Sequence, residues 1–311
     1  MIDGLILAAG FLGIAAGARF ALTYAIEIAR HHGLSDFFVG VVLLAIGTDL
    51  PEIVVSINAA IRHTVEGGMS GLIVGNAIGS CFGQIGLTLG AVALMAPLGI
   101  ARRDGLVHGG TLLVSTVMLF AVALSGSIER LEGALLVLVY LGYVGVLFAF
   151  RKPRQAPQSE DYRGWRVWAR LAAALIVVVV AADAIVVSAT NLAASWSLDP
   201  TVVGIVVLGI GTSLPELSLS VAAILQRRHA MSVGNLIGSN ILDTLLPIGL
   251  AAMIVPLDVT SGVWRIDLPI LFALTALACA FLLSRGGMIR PKAVALLAIY
   301  GIYVGFRIIR A

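Results

Sequence analysis

Gly211-Thr212-Ser213-Leu214-Pro215-Glu216 decides how this chain is read, because it occurs almost twice. Its twin is Gly47-Thr48-Asp49-Leu50-Pro51-Glu52. Both stretches lie deep inside long apolar segments. In each, the proline removes a backbone donor and disrupts the turn before it. The carboxylate is costly in hydrocarbon and needs a partner or a task. Two such breaks at matched positions point to a site.

The surrounding composition sets the class. Of 311 residues, 59% are hydrophobic and 12% are charged. A soluble domain carries about a quarter charged residues, so the chain reads as a polytopic membrane protein. The formal charge is +3, and no basic, aromatic-rich patch of the nucleic-acid kind is present. Cys81 and Cys279 both fall in apolar segments, which argues against a structural disulfide. Asp3 comes early and no basic region precedes the first apolar run, so that run reads as a first span, not a cleavable signal.

A span needs about 20 mostly apolar residues. Ten segments qualify: Leu5–Arg30, Phe37–Arg62, Ser70–Leu94, Leu106–Leu124, Leu131–Phe150, Val167–Ala194, Thr201–Leu225, Ser232–Ile254, Leu268–Leu283 and Lys292–Ile308. The second and seventh contain the paired motifs and are expected to be broken helices. Residues 152–163 form the one long polar stretch and read as a linker.

The two halves repeat. An offset of 164 carries Val39-Gly40 onto Val203-Gly204, Thr48 onto Thr212 and Glu52 onto Glu216. A second pair of motifs, Gly75-Asn76-Ala77-Ile78-Gly79-Ser80 and Gly234-Asn235-Leu236-Ile237-Gly238-Ser239, matches at an offset of 159. The difference of five residues falls in the loop around Thr64 to Gly68, where a folded repeat tolerates an insertion. The expected domains are a five-helix repeat over 1–151 (motif region 40–90), a linker over 152–163, and a second repeat over 164–311 (motif region 204–250). Five is odd, so the second copy enters the membrane from the opposite side. That inverted-topology arrangement places a transporter's site near the bilayer midplane.

Basic residues test this independently. Taking alternate loops as two sides, fourteen Lys and Arg fall on the side of the linker and five on the other. Arg19 stays inside the first span. The positive-inside rule then puts the linker in the cytoplasm and both termini outside. Arg19 aligns with Asp183 at the 164 offset, which suggests a salt bridge between helices or snorkelling more than a gate.

The paired motifs bring oxygen chemistry. Thr48 and Glu52 are four apart, as are Thr212 and Glu216, so each pair shares a helix face. Ser80 precedes Gln84 by four, and Ser239 precedes Asp243 by four. Hydroxyls, carboxylates and proline-freed carbonyls suit hard cations such as Ca²⁺, and Na⁺ also takes oxygen donors. None of the five histidines lies near the motifs, which disfavours transition metals and an intramembrane hydrolase. Four helix segments are expected to converge, with Glu52, Glu216 and Asp243 facing one another and Asp49 nearby.

These residues resemble the α-repeats of the cation/Ca²⁺ exchanger superfamily, more closely its prokaryotic sodium/calcium exchanger branch. The resemblance rests on GTDLPE and GNAIGS in the first half and GTSLPE and GNLIGSN in the second. It implies an all-α integral membrane protein of ten transmembrane helices. It implies electrogenic antiport of Na⁺ against Ca²⁺ by alternating access, with no enzymatic activity, no cofactor and no protein partner. Glu52 and Glu216 would be the central Ca²⁺ ligands. Thr48 and Thr212 would give oxygens to either ion, Ser80, Ser213 and Ser239 would line Na⁺ sites, and Gln84 and Asp243 would sit beside the centre. The carbonyls of Ala45 and Gly209 are further candidates. The short linker leaves no room for the large cytosolic regulatory domain of animal exchangers, which points to a prokaryotic plasma membrane.

Two departures keep rivals open. Asp49 stands where the family usually has serine, as Ser213 does, and Gln84 stands where the branch often has Asn or Asp. A fourth carboxylate beside Glu52 leaves room for Ca²⁺/H⁺ exchange or K⁺ dependence. A cation channel is the rival from a different class, although a channel needs no inverted repeat.

Overall fold

The computed structural model describes residues 2–66, 68–149, 164–195 and 213–310. Apolar sequence and absent polar alternatives make nearly all of it helical. Helix α1 (Ile2–His31) is followed by a second span in pieces: α2 (Asp36–Val39), a π-type turn Gly40–Leu44, α3 (Ala45–Thr48) and α4 (Leu50–Glu66). The third span is α5 (Ser70–Phe82), a π-type turn Gly83–Thr88 and α6 (Leu89–Met95). Next come α7 (Arg102–Asp104), a π-type turn Gly105–Gly109, α8 (Gly110–Ala123) and α9 (Arg130–Ala149). The second half holds α10 (Gly164–Ser195), α11 (Leu214–Leu225) and α12 (His229–Ile254). A π-type turn Val263–Asp267 leads into α13 (Leu268–Leu283), and α14 (Arg290–Arg310) ends the described chain.

Among the described residues, eight helices are long and apolar enough to cross a membrane. The broken second span, bent by 41° between Asp36–Thr48 and Glu52–Val65, makes a ninth. Of the expected seventh span only Leu214–Leu225 is described; residues 201–212 and the linker 152–163 lie outside the described residues. Several spans begin earlier than apolarity alone suggests. The fourth starts at Arg102, the ninth at Val263 and the tenth at Arg290, because charged first turns can extend a helix into the interface without entering hydrocarbon.

Helix α1 stops where Gly33 adopts a left-handed φ of 61°, with Leu34 N–H bonded to Ala29 O at 2.8 Å. Ser35 then caps α2 by accepting from Phe38 N–H at 3.1 Å. At the other end of this span, His63 Nδ1 accepts from Met69 N–H at 3.0 Å and so holds the start of α5 against α4.

Helix α12 is the centre of the packing. Its residues from Met231 to Leu245 are all buried, and it touches α2, α4, α5, α8, α9 and α11. Close approach to the Gly40 turn depends on three glycines. A Cβ on Gly40 would run into Met231 O, one on Gly234 into Phe37 O, and one on Gly238 would lie 2.5 Å from Val41 O. Each obstacle is backbone, so none can swing away. A separate core joins α1 to α10 through Ala21, Leu22, Ala25, Leu171, Ala174 and Val178. Two small antiparallel pairings tie the halves together: Ser127–Ile128 with Leu257–Asp258, and Leu98 with Met288.

Arg19 and Asp183, expected to pair or snorkel, are both exposed. The ion pairs among the described residues are Arg228–Asp36 at 3.0 Å and Arg307–Asp267 at 3.6 Å.

The glycine crossing is testable. Gly238→Ala should cost about 1–3 kcal/mol through overpacking and lower the Tm measured in detergent. Gly142→Ala in α9, where a Cβ meets nothing within 4 Å, should leave Tm unchanged or slightly raised. Equal Tm values for the two variants would contradict this packing.

Candidate ion site

The break in the second span comes at Asp49, with φ −88° and ψ 3°, between α3 and α4. Pro51 follows and has no N–H to continue the ladder. Glu52 therefore falls in the first turn of α4. The other motif has matching backbone angles: Ser213 stands at the N-cap position of α11 with φ −89° and ψ 1° and no side-chain cap bond, Pro215 lies in the first turn, and Glu216 follows it. Both glutamates are thus aimed from fresh helix N-termini. Helices α5 and α12 supply the remaining wall through Ser80, Ser239 and Asp243, with Gln84 in the turn after α5.

These side chains lie in the dry interior. Thr48, Asp49, Glu52, Ser80, Gln84, Ser213, Glu216, Ser239 and Asp243 are all 2% exposed or less. One oxygen each from Asp49, Glu52 and Glu216 lie within 4.8 Å of one another. Of the ten residues expected from sequence, the structure therefore brings three carboxylates into one cluster and places the other described ones in the same buried layer. Thr212 lies outside the described residues, as does Gly209.

The oxygens are under-used. Among the described residues, both carboxylate oxygens of Glu52 and Glu216, Asp49 Oδ2, Asp243 Oδ1 and the hydroxyls of Ser213 and Ser239 have no hydrogen-bond partner. No ion pair among the described residues reaches them. At an effective dielectric of about 20, two like charges 4.8 Å apart repel by roughly 3–4 kcal/mol. Three ionised groups would give about 10 kcal/mol, comparable with the whole stability of a folded domain. A helix N-terminus returns at most about 2 kcal/mol, so the backbone alone does not offset this charge. A cation among these oxygens, or protons on some of the acids, would offset it.

The donor set favours one class of cation over another. It is all oxygen, which suits hard ions. Cys81, the nearby thiol, is turned away: its Sγ lies 3.4 Å from Thr244 Oγ1. Thr48 spends its proton on the preceding turn, at 3.2 Å from Leu44 O and 3.3 Å from Ala45 O, so its lone pairs stay available. The carbonyl of Ala45 accepts the Asp49 N–H at 3.0 Å and is already engaged.

Asp243 is treated differently from the other acids. Its Oδ2 accepts from Ser80 Oγ at 2.7 Å and from Gln84 Nε2 at 2.8 Å. Gln84 Oε1 faces away and accepts from Asn240 Nδ2 at 2.8 Å. Gln84 thus turns a donor, not an oxygen, toward the carboxylate it was expected to flank. Asn240, which sequence reasoning left unused, sits in the quoted Gly-Asn-Leu-Ile-Gly-Ser-Asn stretch. Its signal was present, but its partner was not.

Comparison with known proteins now decides the family. The profile described as sodium/calcium exchanger protein matches residues 3–149 and 166–309. The chain belongs to the sodium/calcium exchanger family. This exchanger is 29% identical to the sodium/calcium exchanger MaX1 of Methanosarcina acetivorans, covering 96% of each chain. It is 32% identical to the membrane protein MJ0091 of Methanocaldococcus jannaschii over 70% of each. Its fold superposes on a solved structure of the sodium-calcium exchanger NCX_Mj, soaked with Na⁺ and Sr²⁺, with a TM-score of 0.86 and 26% identity over 98% of both chains. The protein is therefore an integral membrane member of a transporter family, not an enzyme family.

Relief of repulsion gives a direct test. In buffer whose only cation is choline, Glu52→Gln should be more stable than the unaltered exchanger by several degrees in Tm. Added Ca²⁺ should raise the Tm of the unaltered exchanger more than that of the variant. A variant less stable than its parent in choline would show that these carboxylates are held by protein partners.

Proposed function

We propose that this exchanger is a secondary active antiporter that exchanges Ca²⁺ for Na⁺ by alternating access. The observation that carries the reading is the cluster of Asp49, Glu52 and Glu216, buried together with unpartnered oxygens. Glu52 and Glu216 act as the central Ca²⁺ ligands. Thr48 and Thr212 contribute oxygens to either ion, and Ser80, Ser213 and Ser239 line Na⁺ positions, with Asp49 and Asp243 adding charge. Gln84 serves as a hydrogen-bond partner of Asp243. No resident cofactor is required, because the ions are the cargo.

Coupling follows from electrostatics. One Ca²⁺ or several Na⁺ neutralise the same carboxylates, and their mutual repulsion makes joint occupancy unfavourable. A loaded centre tolerates occlusion from water, whereas an empty, charged centre does not. The carrier thus changes sides only with cargo, and that condition is what converts one ion gradient into another.

An architecture of ten helices in two inverted repeats, 1–151 and 164–311 joined by the 152–163 linker, supplies the two equivalent gates. Several matched features support it. The backbone angles at Asp49 and Ser213 agree within a few degrees. The 159 offset carries Leu98 onto Leu257, and within one residue of it the π-type turn starting at Gly105 matches that starting at Val263 and Ile128 matches Met288. The excess of Lys and Arg on the linker side supports a cytoplasmic linker with both termini outside, in a prokaryotic plasma membrane as the short linker suggests. A cysteine placed at Ser159 should react with an impermeant maleimide from the cytoplasmic face alone.

The functional test is ⁴⁵Ca²⁺ uptake into proteoliposomes under separate Na⁺, H⁺ and K⁺ gradients. Uptake should follow the outward Na⁺ gradient and fall at least tenfold in Glu216→Gln. Uptake driven by H⁺, or strictly dependent on K⁺, would move the protein to another exchanger type, for which the extra carboxylate Asp49 is the specific motive. Flux indifferent to every counter-ion gradient would make it a channel.

A further inference from the structure

The hydrogen bonds around Asp243 have a fixed direction, and one backbone atom sets it. Asn240, 1% exposed, points one end of its amide at two atoms: Cys81 O at 3.2 Å and the Gln84 side chain at 2.8 Å. A backbone carbonyl can only accept. The Asn240 atom facing it must therefore be the NH₂ group, whatever orientation is assigned to a side-chain amide. That same NH₂ faces Gln84, so Gln84 must present its oxygen there. The other end of Gln84 is then NH₂, 2.8 Å from Asp243 Oδ2 and 3.3 Å from Ser80 Oγ. An ionised Asp243, which also accepts from Ser80 Oγ at 2.7 Å, fits a donor at this point. Both ends of the chain of bonds agree.

We propose that Asn240 is a positioning residue that sets ion preference, by holding the Gln84 amide with its donor toward the centre. Gln84 then takes the place of a cation on Asp243 Oδ2, leaving Oδ1 as the carboxylate oxygen open to an ion. Were the amide reversed, Gln84 Oε1 and Asp243 Oδ2 would meet as two acceptors, and a cation between them would gain two oxygen ligands. Asn240 thus keeps the strong cation position at Asp49, Glu52 and Glu216 and weakens the one beside Asp243. This inference rests on the Na⁺/Ca²⁺ reading of the site. It concerns the balance between the ions, because extra positions beside the centre serve Na⁺ more than a single central Ca²⁺.

The carrier is tested through the half-saturating concentrations of Na⁺ and Ca²⁺ for exchange in proteoliposomes. Asn240→Asp keeps the shape and replaces the donor by an acceptor, so Gln84 must turn. A charge-assisted hydrogen bond removed from Asp243 and given to an ion corresponds to about tenfold or more. The half-saturating Na⁺ should fall by that factor while that of Ca²⁺ changes less than threefold. The shift must pass through Gln84: in a Gln84→Ala background, Asn240→Asp should leave the Na⁺-to-Ca²⁺ ratio within twofold. A ratio unchanged by Asn240→Asp overturns the proposal, and so does the same shift with Gln84 removed, which would mean that added charge alone is responsible. If Asn240→Asp does not fold, Asn240→Ala frees the amide to turn without adding charge. It should shift the ratio in the same direction by a smaller factor, and no shift overturns the proposal. Unaltered protein that shows no Na⁺-driven exchange overturns the functional reading and this proposal together, whereas intact exchange with an unmoved ratio overturns the proposal alone.

Discussion

Repulsion among buried carboxylates is the constraint on which this structure depends. Asp49, Glu52 and Glu216 stand within 4.8 Å of one another in a layer that water does not reach. Nothing in the described protein neutralises them, and two helix N-termini return only a fraction of the cost. A soluble enzyme would have placed an arginine or a fixed metal there. On the proposed reading the compensating charge comes and goes with the cargo, which would turn a destabilising arrangement into a carrier.

The scaffold makes this arrangement possible by being rigid around it. Helix α12 passes through the middle, and the Gly40, Gly234 and Gly238 crossing brings the Gly40 turn into backbone contact with it. Asp49 ends α3 and leads into α4, and Ser213 opens α11, so that each glutamate sits at a helix N-terminus within the buried interior. The hydrogen-bond chain from Cys81 O through Asn240 and Gln84 to Asp243 then distinguishes one acid from the other three. The four buried carboxylates are not equivalent: one oxygen of Asp243 is held by Ser80 and Gln84, while both oxygens of Glu52 and Glu216 have no partner among the described residues.

Much of this was legible in the sequence, for physical reasons. The two Pro-Glu motifs break apolar segments in a way lipid does not tolerate without function, and their common offset announced that they would meet. Ser80 and Asp243, both singled out from the second motif pair, end 2.7 Å apart. Other features were not legible. The π-type turns at Gly40, Gly83, Gly105 and Val263 leave no periodicity signal, because one extra residue per turn is invisible among continuous apolar side chains. The orientation of Gln84 depends on a backbone carbonyl in α5 and an amide in α12, a relation that no spacing encodes. Arg19 and Asp183 occupy matched positions yet remain exposed and unpaired with each other, so matching in a repeat does not by itself imply contact.

The central claim is that the carboxylate cluster exists to hold an exchangeable cation. Equilibrium dialysis of the purified protein with ⁴⁵Ca²⁺ tests it without relying on transport. The account predicts saturable binding of one Ca²⁺ per chain, displaced by Na⁺ but not by choline, and lost in Glu52→Gln and in Glu216→Gln. Binding that survives both substitutions, or no saturable binding by the unaltered protein, would contradict it.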